Sequence, residues 1–185
     1  MIIHSAYHGS MNDVQKFLTL FEQQALLSLS ILDSVPPLLW TALPADSDTN
    51  YLGTRINKIT VDALVRHMCL TETGWIEQLP LLAPGAAMPP PIGSPRLDGI
   101  APGPELVAAY RRCLAHNLQA VAALGESDLA KELTFVGRRY TVQGFLWAIY
   151  GHHCYHFGQA DLLLRQQGFL PGEFLEYART EQVII

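Results

Sequence analysis

Three observations predict an all-α fold built as a four-helix bundle. Four segments carry apolar side chains at helical spacing. Each is bounded by residues that cap or break helices. Only one short stretch, 133–142, alternates in the manner of strands. Four amphipathic helices with so little else bury their stripes best against one another. The chain has 185 residues, enough for a core without disulfides, and reads as a single domain over 1–185.

The first helix is predicted over 11–43, with Val14, Phe17, Leu18, Phe21, Ala25, Leu29 and Leu32 on one stripe. Pro36 and Pro37 must end or kink it, because a proline ring removes a backbone donor and crowds the preceding turn. The second runs over 60–79 from Thr60 as N-cap, with Val61, Leu64, Val65, Met68, Trp75, Ile76 and Leu79 as its apolar positions. The third spans 104–124, with Pro104 suited to a first turn. The fourth follows Thr141 to Gln167 and stops at Gly168. Before it, alternating residues on either side of Gly137-Arg138 suggest a short β-hairpin or irregular ribbon, which must pack on the bundle because two strands alone are marginal. The stretch 80–104, rich in Pro and Gly, reads as an ordered surface connection. Its length makes sense if the second and third helices run parallel, since the chain must then return along a helix length.

Composition narrows the function. The chain is 49% hydrophobic and 16% charged, which excludes disorder. Its net charge is −5, and its densest basic groups are the pairs Arg111-Arg112 and Arg138-Arg139. Nucleic acid and anionic membrane are therefore disfavoured as partners. No apolar segment approaches the roughly 20 residues needed to cross a bilayer. Cys69, Cys113 and Cys154 lack metal-binding spacing and read as reduced thiols. With no signal-peptide pattern at the N-terminus, a cytoplasmic protein is expected.

The chemistry gathers in Gly151-His-His-Cys-Tyr-His-Phe-Gly-Gln159. His156 lies one helical turn from both His152 and His153, and two imidazoles one turn apart can grip a divalent metal. Phe145, Ile149, His152, His156, Gln159 and Leu163 form one buryable seam. Leu146, Tyr150, His153, Phe157, Ala160 and Leu164 form another, so periodicity does not choose between the two pairings. Among the other histidines, His67 is best placed for a third ligand, one turn beyond Leu64 on an apolar helix. His116 has polar neighbours, and His4 and His8 precede the first helix.

His67 with Glu72 and Trp75, the ribbon leading to Thr141-Val142, and His152-x-x-x-His156-Phe-Gly-Gln159 followed by Leu163-Leu-Arg-Gln-Gln-Gly168 resemble the DinB/YfiT-like superfamily. The resemblance covers 60–168 and the helix order. It implies an up-down-down-up bundle and a metal-binding triad of His67, His152 and His156, with His153 as neighbour rather than ligand. Phe157 stands where arginine is common, which removes a cation near the site and bears on substrate preference. Glu72, His153, Tyr155 and Gln159 are candidates to support the ligands or move protons. Glu72 lies five residues beyond His67, an awkward offset for sharing its face, and reads equally as a solvated glutamate. Tyr155 is expected to pack against another helix.

Three imidazoles leave an open coordination position on zinc, nickel, iron or cobalt, and nitrogen donors alone do not choose among them. Relatives of this superfamily include bacillithiol S-transferases and a mycothiol-dependent maleylpyruvate isomerase. The resemblance therefore implies a metal-dependent thiol S-transferase or related hydrolase acting on a small molecule, with a low-molecular-weight thiol as cosubstrate; a homodimer is the expected assembly. The rivals are a metal-binding stress protein without turnover and a metal-free structural bundle whose histidines satisfy one another.

Overall fold

The structure, a computed structural model, describes residues 12–44, 58–91 and 97–172. His4 and His8 lie outside them. Helix α1 covers Asp13–Asp33, α2 Val61–Gln78, α3 Pro104–Ala122, the single turn α4 Glu126–Leu129, and α5 Val142–Gln166. Strands β1, Glu132–Phe135, and β2, Arg138–Thr141, precede α5.

Local chemistry sets most of the boundaries. The Asn12 side chain accepts from the Gln15 amide at 2.9 Å, and Gln15 Oε1 accepts from the Asn12 amide at 3.1 Å, a reciprocal cap. Thr60 caps α2 through the Ala63 amide, and Thr141 caps α5 through the Gly144 amide. The α1 helix ends at Asp33 instead of continuing toward Leu43. Pro36 and Pro37 forbid the next turn, and the chain passes through a 3-10 turn at Pro37–Leu39 to bury Trp40. At the end of α5, Gly168 takes φ 76°. Its amide reaches the Arg165 carbonyl, and the Phe169 amide reaches the Leu164 carbonyl, both at 3.0 Å. This paired closure needs a left-handed residue, for which glycine has no side-chain penalty.

Around the bundle the helices follow the order α1, α3, α2, α5. Asp13 meets Gln143 and Phe17 meets Trp147, so α1 and α5 run parallel. Leu64 lies beside Ala160 and Leu163, while Trp75 lies beside Phe145, so α2 runs against α5. Met68 meets Tyr110 and Glu77 meets His116, so α2 and α3 are parallel. The result is the up-down-down-up order. Phe17, Phe21, Tyr110, Phe145 and Phe157, all nearly inaccessible, fill the core. Among the described residues no helix is long and apolar enough to cross a membrane.

The hairpin is present, with its turn one residue earlier than the sequence suggests. Val136 and Gly137 form the corner at φ 48° and 74°, and Arg138 already belongs to β2. The return connection extends the ribbon. Ala87 forms a parallel bridge with Thr134, and the Met88 amide donates to the Thr134 carbonyl at 2.8 Å. Phe135 packs on Trp75 and Phe145, each at 5.2 Å between ring centroids, which fixes the ribbon to the bundle. Arg66 on α2 ties down the far end of the connection by donating to the Leu97 and Ile100 carbonyls.

Candidate metal centre

Antiparallel packing of α2 on α5 brings the middle of one helix to the middle of the other. His67 projects from α2 between His152 and His156, one turn apart on α5. The Nε2 atoms of His67 and His152 lie 3.3 Å apart. The His156 ring centroid is 4.7 Å from that of His67 and 4.4 Å from that of His152. One nitrogen from each ring lies within 4.8 Å of the other two. His67 and His156 are buried and His152 nearly so.

The donor set fits a divalent cation. Two nitrogens bound at about 2.0–2.1 Å to one tetrahedral ion lie about 3.3–3.4 Å apart, the separation of the His67 and His152 nitrogens. The 4.8 Å outer limit exceeds that spacing by about 1.4 Å, so the widest pair must draw in by no more than this. Two neutral imidazoles facing each other through Nε2 also need one proton between them, and a cation satisfies both lone pairs at once.

A second layer of groups orients the rings. Glu72 is inaccessible, not solvated. Its Oε1 accepts from His152 Nδ1 and its Oε2 from His153 Nδ1, each at 3.3 Å. Five residues from His67 is no obstacle, because its partners are on α5. Burial opposes ionisation of Glu72, but the facing His153 and His152 rings outweigh it and hold the carboxyl below the usual carboxylate range. Gln159 Oε1 accepts from His156 Nδ1 at 2.8 Å, which leaves Nε2 as the nitrogen available to a ligand. Tyr155 is 60% exposed and meets the His156 ring at 5.0 Å, so it does not pack into a neighbouring helix.

His153 faces away from the cluster. One residue of helix turns it about 100° from His152, into the space between α1 and α3. Its Nε2 lies 3.0 Å from Ser28 Oγ, and its Nδ1 is shared between Glu72 and Tyr110 Oη, the latter at 3.3 Å. Phe157 stacks on the same ring at 6.2 Å, so the residue in the arginine position lies in the core against His153. Ser28, His153 and Glu72 together have the connectivity of a nucleophilic triad. All three are inaccessible, and the Ser28 hydroxyl donates to the Gln24 carbonyl at 2.9 Å, so no substrate can meet it.

Sequence reasoning did not find Ser28 or Tyr110. The available signal for Ser28 was a polar residue, like Gln24, near the apolar stripe of α1. It also missed a cavity of about 470 Å³ beside His67, walled by Trp75, Met88, Pro90, Pro91, Phe135 and Val136. His116 is an exposed partner of Glu77, away from the cluster. The three cysteines are free, with Cys69 and Cys113 buried.

Comparison with known proteins agrees with this architecture. The sequence profile of the DinB superfamily matches residues 21–160. Among solved structures, a DinB-like protein from Bacillus subtilis is similar at 16% identity and TM-score 0.60, covering 84% of this chain and 95% of that one. YfiT from Bacillus subtilis, described as a probable metal-dependent hydrolase with an unusual four-helix bundle topology, is similar at 12% identity and TM-score 0.63. That match covers 88% of this chain and 93% of YfiT. No curated protein matches the chain.

Proposed function

The chain belongs to the DinB superfamily, and from that membership and the three converging imidazoles we propose that it holds one divalent metal ion on His67, His152 and His156 and acts on a small molecule. The observation that carries the proposal is the 3.3 Å approach of two Nε2 atoms from different helices, with His156 beside them. A cation bound there supplies Lewis acidity, lowering the pKa of a coordinated water or thiol toward neutrality.

The chain's own residues do the positioning. Glu72 fixes the tautomer and angle of His152, and Gln159 does the same for His156. His153, held by Ser28 and Tyr110, keeps the Glu72 carboxylate in place from behind. Trp75 meets the His152 ring at 4.9 Å and walls it from one side.

Two reactions suit this arrangement. Hydrolysis is supported by the likeness to YfiT, described as a probable metal-dependent hydrolase. Transfer of a low-molecular-weight thiol to an electrophile is supported by the cavity lining, which among the described residues carries no carboxylate to take a proton from water. A thiol, with an ordinary pKa near 8.5, needs less help than water to ionise. We extend the proposal to a cytoplasmic homodimer, for which Tyr155 and Leu162, exposed a heptad apart on α5, offer a surface.

Elemental analysis of the untagged protein tests the metal, with one equivalent expected. Cobalt substitution followed by a thiol panel then separates the reactions. A changed cobalt spectrum and faster conjugation to an electrophile support thiol transfer. Ester or amide cleavage with an unperturbed spectrum supports hydrolysis. Metal without turnover supports a binding protein. Absence of metal after growth in metal-supplemented medium returns the chain to a structural bundle.

A further inference from the structure

The cavity beside His67 has a chemical character of its own. Three elements build it: α2, the Pro-rich return connection and the hairpin tip. Among the described residues its lining includes no Asp, Glu, Lys or Arg. Its polar side chains among them are His67, Thr71 and Trp75; the Thr71 hydroxyl already donates to the His67 carbonyl at 2.7 Å, and the Trp75 indole N–H is buried. A ligand charge lodged away from the histidine cluster would lose its hydration here without meeting a counter-charge among the described residues. The volume of about 470 Å³ suits a molecule of one or two rings. Proline and aromatic rings give that space stiff, flat walls.

The hairpin tip adds an independent observation. Val136 sits at φ 48°, in the left-handed region where a β-branched residue is strained. Asparagine, aspartate or glycine is the ordinary choice at this corner of a two-residue turn. Val136 is 80% exposed, so the core does not repay the strain, yet it lines the cavity. An apolar side chain held over an apolar opening against local preference has a use if it closes on an apolar ligand.

We infer that the part of the substrate seated in this cavity is an uncharged, apolar, ring-sized body, and that Val136 is a specificity-determining residue covering it. The inference rests on the proposed function in one respect: it takes the cavity as the approach to the histidine cluster. Gly74 on α2 lets Pro91 come close. A Cβ at position 74 would lie 3.0 Å from Pro91 Cβ, so glycine there lets Pro91 of the lining sit close against α2.

The test uses the full chain stripped of metal by a chelator, so that no probe binds through a cation. Calorimetric titration compares 2-naphthalenemethanol with 2-naphthoate, which share a ring system and differ in charge. The neutral probe is expected to bind at least about tenfold more tightly. Val136→Asn is expected to weaken the neutral probe by about three- to tenfold while raising Tm, because it suits the turn and removes apolar contact. Leu70→Arg, which puts a cation in the lining, is expected to bring the two probes to within about threefold. Equal affinities in the parent, no binding of the neutral probe, or unchanged affinity in a folded Val136→Asn would overturn the inference. Metal content is measured on the same preparation before chelation. Selective binding by a protein that never held metal would sink the metal-centre reading and leave this one standing.

Discussion

Replacing Glu72 by glutamine exchanges one buried oxygen for an NH2 group and changes almost nothing in volume. Each carboxylate oxygen accepts from one imidazole at 3.3 Å, and the side chain is inaccessible. Hydrogen bonds to a charged group contribute about 1.5–3 kcal/mol each, and at 3.3 Å, against an optimum near 2.8 Å, the lower figure applies. Glutamine keeps one acceptor and turns the other into a donor facing an imidazole nitrogen. One bond is lost at about 1.5 kcal/mol and the other falls to neutral strength, so the metal-free fold should lose roughly 2 kcal/mol. The effect on metal is separable, because only the His152 half of the pair reaches the cluster. Loss of such a supporting group typically costs about 10–100-fold in metal affinity. Urea denaturation of the chelated protein measures the first quantity, and competition against a chromophoric chelator measures the second. A variant destabilised as expected but binding metal within threefold of the parent would refute the argument. Glu72 would then be a core polar residue, and His152 would not be a ligand oriented through it.

Two further outcomes follow from the same geometry. His152→Ala should abolish metal stoichiometry, whereas His153→Ala should keep it while lowering stability by about 3 kcal/mol, since Glu72 and Ser28 lose a buried partner; metal analysis beside urea denaturation checks both, and the reverse pattern would overturn the ligand assignment. Cys154 should react with an aromatic disulfide reagent before Cys69 and Cys113, which are buried and hydrogen-bonded to each other. Because burial raises the Cys154 thiol above its usual pKa, its rate should climb with pH through the range where an ordinary exposed cysteine has levelled off; first reaction at Cys69 would contradict the packing of α2 on α3.

The helices were legible because their signals are local. Thr60, Thr141 and Gly168 mark boundaries by hydrogen bonds reaching no more than a turn or two along the chain. The overrun predicted for the first helix came from the apolar residues after Pro37, which continue the pattern in composition but serve to bury Trp40 from a 3-10 turn. Non-local facts were not legible. The choice between His152 and His153 escaped periodicity because α5 buries two faces, one against α2 and one toward α1 and α3. Glu72 reads evenly as a supporting group or a solvated glutamate because its offset compares it with His67 on its own helix, whereas its partners lie across the bundle. The hairpin turn was placed one residue late because Val136 adopts a conformation its side chain disfavours.

The long connection and the cluster of histidines have one origin in topology. Parallel α2 and α3 require the chain to travel back along the bundle after Leu79, so a return segment must cross an outer face. In this protein it crosses beside α2, where Arg66 anchors one end and the Ala87–Thr134 bridge anchors the other to the hairpin. Pro90 and Pro91 are thereby held against the helix that carries His67. A bundle with tight loops between antiparallel neighbours would leave that surface open to water, and His67 with it. The apparent cost of the topology, a run of Pro and Gly with little regular structure, supplies the wall that turns an exposed helix face into a sheltered cavity. The hairpin before α5 supplies the opposite rim because Phe135 must bury itself on Trp75 and Phe145, which carries Val136 to the edge. Any substrate specificity at this site would thus be set by the two non-helical segments, while the helices beneath fix the histidines.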